Sequence, residues 1–123
     1  MKTIAILGAS ADRSKYGNKA VRAYRQEGYE VYPVNPKEEE IEGLSVSSSL
    51  TEVPSGLDRI SIYLPPKVTE ELLDEIADAG AREVWFNPGA DDGGLLDKAR
   101  ERGIEVVQGC SIRDLGLDPD SFS

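Results

Sequence analysis

Five short runs of apolar and β-branched residues recur along the chain, separated by segments with a different periodicity. The runs occupy residues 4–7, 29–34, 57–64, 83–86 and 104–107. Between them, apolar residues return at the spacing of an amphipathic helix, most clearly at Leu72, Leu73, Ile76 and Ala79. Glycines such as Gly80 then stand where helix C-caps fall. The pattern predicts five strands that alternate with helices.

The predicted helices begin near residues 15–17 and cover residues 17–28, 68–79 and 95–102, with a short one at 50–53. Strict alternation of strands and helices indicates a parallel sheet with right-handed crossovers. We therefore predict an α/β fold, a Rossmann-like three-layer doubly wound parallel five-stranded sheet of order 3-2-1-4-5. A chain of 123 residues fits one compact domain. Residues 1–117 are assigned to that domain and residues 118–123 to a loose tail.

Two stretches fit this pattern less directly. Pro33 lies inside the second predicted strand although it cannot donate to a β-ladder. We place it near the strand's end or where no partner needs that N–H. Residues 38–43 are interpreted as an acidic loop, and residues 44–46 as a short extended piece.

Composition narrows the function classes. The net charge of −9 and the pI near 4.5 disfavour nucleic acid and anionic lipid as partners, so an anionic ligand would need a local concentration of positive charge. The chain has no histidine, which excludes histidine-based catalysis, metal ligation and phosphohistidine transfer within it. Its single cysteine rules out an internal disulfide and suits a reducing compartment. With no apolar run near the roughly 20 residues of a membrane span, we expect a cytoplasmic location.

The loops that follow the predicted strands carry the strongest functional signal. In such a sheet, ligands bind beyond the carboxyl ends of the strands, where the strand order reverses. The first strand is followed by a turn at Gly8, a small-residue loop and a helix start, which is an arrangement that binds phosphate. Four cations lie in these loops despite the acidic total: Arg13, Lys15, Lys37 and Lys67. We interpret them as an anion site, the alternative being ordinary surface charge.

The end of the second strand discriminates between nucleotides. Proteins that bind NAD place an acid there for the ribose hydroxyls, whereas this chain has Asn35, Pro36 and Lys37. A cation favours a phosphorylated ribose, as found in NADP and in coenzyme A. The alternative for Lys37 is an exposed turn residue paired with the glutamates at 38–40.

Six motifs together resemble a known family. They are GAS at 8–10, KYGN at 15–18, GYEVYPVNPK at 28–37, YLPP at 63–66, VWFNPGA at 84–90 and GCSI at 109–112. In this order the chain resembles the small single-domain CoA-binding proteins, and through them the N-terminal domain of the succinyl-CoA synthetase alpha subunit. The resemblance extends over roughly residues 4–117.

The resemblance implies a role for each motif. Residues 8–13 match the loop that surrounds the CoA diphosphate, and Lys37 matches the residue that contacts the 3′-phosphate. Residues 63–66 match the segment that borders the adenosine, and residues 86–88 match the segment along the pantetheine arm. The predicted ligand-binding residues are Gly8, Ala9, Ser10, Arg13, Lys15, Tyr16, Asn35, Pro36, Lys37, Leu64, Pro65, Pro66, Phe86, Asn87, Pro88 and Gly89. The synthetase's phosphorylated histidine belongs to a second domain that has no counterpart here.

We therefore predict a protein that binds coenzyme A or an acyl-CoA without ligase chemistry of its own, with no catalytic residue and no metal ligand assigned. The alternatives are an NADP-binding oxidoreductase-type domain and an interaction module on the same fold. Association with another copy or with a partner protein stays open.

Four further positions have two interpretations each. Cys110 is either a small buried residue or a thiol that forms a mixed disulfide with CoA. The Asp91–Asp92 pair is either a helix cap or a metal ligand. Trp85 is predicted to lie in the core. Tyr16 either covers the ligand or packs against its own helix.

Overall fold

A computed structural model of the chain describes residues 1–122, which form a parallel sheet between two layers of helices. The strands are β1 (Thr3–Leu7), β2 (Glu30–Val34), β3 (Glu40–Ile41), β4 (Leu44–Ser45), β5 (Arg59–Ile62), β6 (Glu83–Phe86) and β7 (Val106–Gln108). The helices are α1 (Tyr16–Gln26), α2 (Pro66–Glu71), α3 (Leu73–Ala79), α4 (Gly93–Glu101) and α5 (Ser111–Asp114), with 3-10 turns at Leu50–Glu52 and Pro119–Phe122. No helix within residues 1–122 combines the length and apolar character needed to cross a membrane.

The sheet confirms the predicted fold class but not the predicted strand order. Its five strands are parallel in the order β2-β1-β5-β6-β7. The third predicted strand, β5, therefore lies beside β1 and not outside β2, so the order 3-2-1-4-5 is wrong. The order is 2-1-3-4-5 when the five sheet strands alone are counted.

Pro33 gives the physical reason for this order. The Pro33 carbonyl faces away from β1 and accepts a hydrogen bond from Ser47 N–H at 3.0 Å. The nitrogen of Pro33 faces the same outer side. Among the described residues, the contact there is a single isolated β-bridge between Val34 and Ser47. A proline there removes no ladder hydrogen bond, which is why β2 can be an edge strand but not an interior one.

Alternation along β1 divides the core into two layers. Ile4 and Ile6 face α1 and α5, while Ala5 and Leu7 face α3, α4 and the turn at Leu50–Glu52. All four β1 side chains are buried, as expected for a central parallel strand covered on both sides. The segment predicted as an acidic loop contains β3 instead, which pairs antiparallel with β4 and buries Ile41 against the α1 layer.

The predicted helix at residues 68–79 is two helices that meet at Leu72. The break lies where adjacent Leu72 and Leu73 both contact the same core. The helix predicted from residue 95 begins earlier, at Gly93. The side chain of Asp92 caps it by accepting from the N–H groups of Gly94 and Leu95.

The expectation of a loose tail is wrong up to Phe122. The turn Pro119–Phe122 packs on α1, where Arg22 donates to the Phe122 carbonyl and its guanidinium lies 5.7 Å from the centre of that ring. A cation–π contact and a hydrogen bond from the charged guanidinium together hold this segment. Ser123 lies outside the described residues.

Stability is expected to fall on acidification through Asp58, which joins the starts of β1 and β5. The N–H of Thr3 donates to Asp58 Oδ2 at 2.9 Å and holds the pKa of that carboxyl below its ordinary value. The Asp58 carboxylate therefore contributes fully to the free energy of unfolding above its unfolded-state pKa, at about pH 4. This contribution is lost as pH falls through the lower folded-state pKa. We expect Asp58→Asn to flatten the acid-side decline of the free energy of unfolding, measured by urea denaturation at several pH values.

The matched control is Asp78→Asn, because Asp78 is exposed and forms no ion pair within residues 1–122. This variant should keep the wild-type pH slope. Identical slopes for the two variants would contradict a role for Asp58.

Candidate functional site

A cleft lies at the carboxyl ends of β1 and β5. These two strands are neighbours, yet the chain leaves β1 toward α1 on one face and β5 toward α2 on the other. The diverging loops leave a cavity of about 540 Å³ between them. This is the switch point of the sheet, where open α/β folds bind their ligands.

Two glycines let the loop after β1 fit beneath the start of α1. Gly8 has a φ of +90°, and a Cβ there would lie 3.1 Å from the carbonyl of Tyr63. A Cβ on Gly17 would lie 2.3 Å from the carbonyl oxygen of Gly8. Side chains at either position would push α1 or β5 away, so this close approach requires glycine at both.

The first turn of α1 has backbone amides that no protein group in the described part of the chain caps. Lys15 is the N-cap, its side chain makes no capping bond, and the first turn carries no acid. Within residues 1–122 the N–H groups of Tyr16 and Gly17 donate to no protein acceptor. Both residues line the cleft. Free amides and the positive end of the helix dipole together favour a phosphate at this point.

Two asparagines fix the loop before any ligand arrives. Asn18 is buried and donates to the Ser10 carbonyl at 2.9 Å. Asn35 donates to the Ala9 carbonyl at 2.7 Å, and its side-chain oxygen accepts from Lys37 N–H at 2.7 Å. The loop carbonyls are thus drawn into the protein, which leaves the loop edge that faces the cleft free for an anion.

Asp12 tightens the far end of the same loop. Its Oδ1 accepts from the Ser14 hydroxyl at 2.7 Å and from the Ser14 N–H at 2.9 Å. These bonds hold the pKa of the Asp12 carboxyl below its ordinary value, so the group is a carboxylate at neutral pH. The side chain of Ser10 accepts from Asp12 N–H at 3.0 Å. The backbone of the loop is therefore preorganised.

A second and a third cleft adjoin the first on opposite sides. The second, about 270 Å³, shares Tyr16, Tyr63 and Pro88 with the first and extends to Cys110. The third, about 280 Å³, shares Gly8, Asn35 and Leu64, and its walls are apolar: Leu7, Val34, Leu50, Val68 and Leu72. The three clefts together form one groove along the carboxyl edge of the sheet. An elongated ligand with a charged middle fits this arrangement.

Half of the predicted ligand-binding residues line the first cleft. They are Gly8, Ala9, Ser10, Lys15, Tyr16, Asn35, Leu64 and Pro88. Two more line the adjoining clefts, Asn87 the second and Pro36 the third. Pro65 and Pro66 border a separate depression beside α2. Gly89 is exposed next to the groove, and Phe86 is fully buried in the core.

The four cations predicted to form an anion site do not all line the first cleft. Lys15 lines the first cleft, whereas Arg13 makes an ion pair with Glu42 at 3.3 Å. Lys37 is exposed and follows Pro36, which lines the third cleft, and within residues 1–122 it pairs with none of the glutamates that follow it. Lys67 faces outward at the start of α2. Lys15 and Lys37 are thus the cations whose charge is available to a ligand in the groove.

The two-way interpretations resolve in part. Trp85 is buried, as predicted, and Asp92 is a helix cap. Asp91 accepts from Gly89 N–H and Gln108. Tyr16 is 52% exposed and lines the first cleft, while Nζ of Lys19 on the same helix lies 5.0 Å from the centre of its ring, so both interpretations stay open. Cys110 is half-buried at the wall of the second cleft, where both of its interpretations stay open.

Several residues that build the site were not among the predicted ones. Gly17 and Asn18 stand in the KYGN motif, and that motif was the available signal. Tyr63 lines two clefts and its hydroxyl lies 3.2 Å from Ser111 Oγ. Burial raises the pKa of the Tyr63 hydroxyl above its ordinary value, so the group keeps its proton at neutral pH. Arg113, which lines the second cleft, had no motif to mark it.

The fold and the groove at its switch point define a Rossmann-like domain of the kind that binds nucleotides. A family model described as a CoA binding domain matches residues 2–115. The chain therefore belongs to the CoA-binding domain family, as its motifs predict.

Relatives include both long and short proteins. The alpha subunit of ADP-forming acetate–CoA ligase II from Pyrococcus furiosus is 31% identical over 116 residues, which cover 92% of this chain and 25% of that subunit. A hypothetical protein from Pyrococcus horikoshii OT3 has a TM-score of 0.85 at 32% identity and covers 94% of this chain and 82% of its own. A Thermus thermophilus protein has a TM-score of 0.86 at 30% identity, with coverages of 94% and 88%. This chain spans about a quarter of that ligase subunit and most of the two solved structures.

Proposed function

We propose that this chain binds coenzyme A or an acyl-CoA along the groove and performs no ligase chemistry itself. The observation that carries the proposal is the uncapped first turn of α1, whose free Tyr16 and Gly17 amides line the cleft at the switch point. Membership of the CoA-binding domain family and the similarity to a protein named as an acetate–CoA ligase subunit support the choice of nucleotide.

The groove suggests how the ligand lies. We place the diphosphate in the first cleft, against the amides of α1 and beside Lys15. The adenosine would occupy the third cleft, whose apolar walls at Val34 and Leu64 suit a flat base. The pantetheine arm would then follow Pro88 through the second cleft toward Cys110.

The absence of ligase chemistry rests on the residue set of this chain. It contains no histidine, so it cannot carry a phosphohistidine intermediate. The match covers 25% of the ligase subunit, so the similarity supports binding of the nucleotide and not the activity of that whole subunit. Binding is the activity that the described groove supports.

Calorimetric titration with four nucleotides tests the proposal. We expect coenzyme A to bind more tightly than 3′-dephospho-CoA, and both to bind more tightly than NAD. NADP is the competing ligand, since it also carries a ribose phosphate. Preferential binding of NADP, or no binding of coenzyme A, would overturn the proposed function.

Lys37→Ala is expected to weaken the binding of coenzyme A by about 1–1.5 kcal/mol, which is roughly tenfold in affinity. The ammonium group is exposed and has no protein partner within residues 1–122, so its loss removes a solvent-screened contact to the 3′-phosphate. The same variant should leave the affinity for 3′-dephospho-CoA unchanged.

Lys67→Ala is the matched control, because that lysine is also exposed and lies outside the three clefts. Its affinity for both ligands should equal that of the wild type. If Lys37→Ala weakened coenzyme A and 3′-dephospho-CoA by the same factor, the lysine would not contact the 3′-phosphate.

A further inference from the structure

We propose that the preferred ligand is an acyl-CoA whose acyl group ends in a carboxylate, and that Arg113 binds this carboxylate in the second cleft. The proposal rests on the proposed function, since it concerns the far end of the same ligand. It specifies the class of acyl group, for which the family membership provides no assignment.

The second cleft is shaped for the end of an acyl chain. Its volume of about 270 Å³ is half that of the first cleft, to which it opens past Tyr63 and Pro88. Pro119 and Cys110 complete the apolar part of the lining. Such a pocket accepts a short aliphatic chain but contributes little polar recognition by itself.

Arg113 is the one cation that lines this cleft. It lies on α5, the helix that begins directly after Cys110, and Cys110 lines the same cleft. In the first cleft the cation is Lys15, at the position of the diphosphate. The first and the second cleft are thus each lined by one cation, Lys15 and Arg113 respectively, in addition to the exposed Lys37. A ligand with anionic groups at two separated positions matches this charge pattern better than one with a single anionic centre.

The charge of Arg113 is available to such a ligand. Its side chain is 63% exposed, and its ion pair with Asp118 is long, at 3.9 Å from Nη2 to Oδ1. That same Oδ1 atom accepts a hydrogen bond from Asp120 N–H at 2.9 Å, which holds Asp118 in the turn before Pro119–Phe122. A pair at this separation neutralises the guanidinium only weakly and leaves its bidentate edge without a partner.

A guanidinium at this point selects for a carboxylate by geometry as well as by charge. Two parallel N–H groups match the two oxygens of a carboxylate, whereas an alkyl end of the same shape would leave them solvated by water alone. The contact involves no covalent step. It separates dicarboxylic monothioesters from simple aliphatic acyl-CoA molecules.

The test compares pairs of thioesters with the same shape and different charge. Malonyl-CoA is paired with isovaleryl-CoA, and succinyl-CoA with 4-methylpentanoyl-CoA, in calorimetric titrations at low ionic strength. We expect at least one carboxylate member to bind about tenfold more tightly than its uncharged partner. Arg113→Gln should abolish that preference, and titration of the same variant with coenzyme A shows whether the guanidinium also contacts the nucleotide part of the ligand. Arg113→Lys should keep part of the preference, because the charge remains but the bidentate edge is lost.

Asp118→Asn provides the opposite change. It removes the competing charge and keeps the Oδ1 acceptor for Asp120 N–H, so the carboxylate preference should rise. Equal affinities within both thioester pairs in the wild type would overturn this inference while the proposed function stands. An equal loss for coenzyme A and all thioesters in Arg113→Gln would overturn it too, since the guanidinium would then contact a phosphate. Failure of coenzyme A itself to bind would overturn both proposals.

Discussion

Replacing Gly17 with alanine is expected to weaken the binding of coenzyme A roughly 100-fold and to lower the free energy of unfolding by about 3 kcal/mol. The added Cβ would lie 2.3 Å from the Gly8 carbonyl oxygen, and α1 must retreat by about 0.7 Å before that contact reaches 3.0 Å. Overpacking of this kind costs about 1–3 kcal/mol. The same shift would displace the Tyr16 and Gly17 amides, and two charge-assisted hydrogen bonds to the diphosphate are worth about 3 kcal/mol.

Gly93→Ala is the matched control for this prediction. Gly93 also stands in the first turn of a helix, its φ is not positive, and a Cβ there has no neighbour within 4 Å. It should leave binding unchanged and either preserve stability or raise it by about 0.5 kcal/mol. Urea denaturation and calorimetry on both variants provide the comparison. A Gly17→Ala protein that binds coenzyme A like the wild type would show that the first turn of α1 does not contact the ligand.

Strand positions could be predicted from the sequence because they depend on local pattern. Each run contains three to five apolar or aromatic residues and is bounded on at least one side by glycine, proline or asparagine, as at Gly8 and Pro65. Central strands of a parallel sheet are buried on both faces, so the apolar run itself marks them. The two-residue strands β3 and β4 carry too little pattern to be recognised, and the acidic residues around Ile41 hide its buried side chain.

Strand order depends on information that the same pattern does not contain. The orders 3-2-1-4-5 and 2-1-3-4-5 both satisfy right-handed crossovers between parallel strands. Pro33 distinguishes them, because its missing N–H is tolerated on an edge and not in the interior.

The site was predictable where it depends on sequence-local geometry. Gly8, Ser10 and Lys15 follow a strand directly and precede a helix, and this succession places them at the switch point. Arg13 belongs to the same loop, but it pairs with Glu42, whose carboxylate comes from a hairpin that was predicted as a loop. Arg13 is therefore not available to a ligand in the groove, because a tertiary contact to Glu42 engages its charge.

Distant residues supply the remaining parts of the groove. Tyr63 and Arg113 are 50 positions apart in sequence, and they share a cleft because β5 and α5 end on the same side of the sheet. Gly17 matters through its distance to Gly8, nine positions earlier. The spacing of residues along the sequence does not reveal such contacts. The KYGN motif indicates the region of the site, but it does not show that Gly17 must approach the Gly8 carbonyl.

Asn87→Ala is expected to lower the free energy of unfolding by about 3–4 kcal/mol. Asn87 is buried, and its side chain donates to Ser61 Oγ at 2.8 Å and to the Ile62 carbonyl at 2.9 Å. Its side-chain oxygen accepts from Ser111 N–H at 2.8 Å. Truncation leaves the buried Ile62 carbonyl and the Ser111 N–H unpaired, and each unsatisfied group costs about 1–3 kcal/mol. Urea denaturation followed through the single tryptophan, Trp85 on the strand that leads into Asn87, measures the change.

Gln108→Ala provides the control, because Gln108 is exposed and its one side-chain bond, to Asp91, is 3.0 Å long. It should change stability by less than about 0.5 kcal/mol. Amide hydrogen exchange adds a local readout, since loss of the Asn87 bond should speed exchange at Ser111 and along α5 before the sheet opens. A loss below about 1 kcal/mol in Asn87→Ala would mean that the unpaired groups find other partners. Asn87 would then not be what holds α5, and with it Cys110 and Arg113, against the sheet.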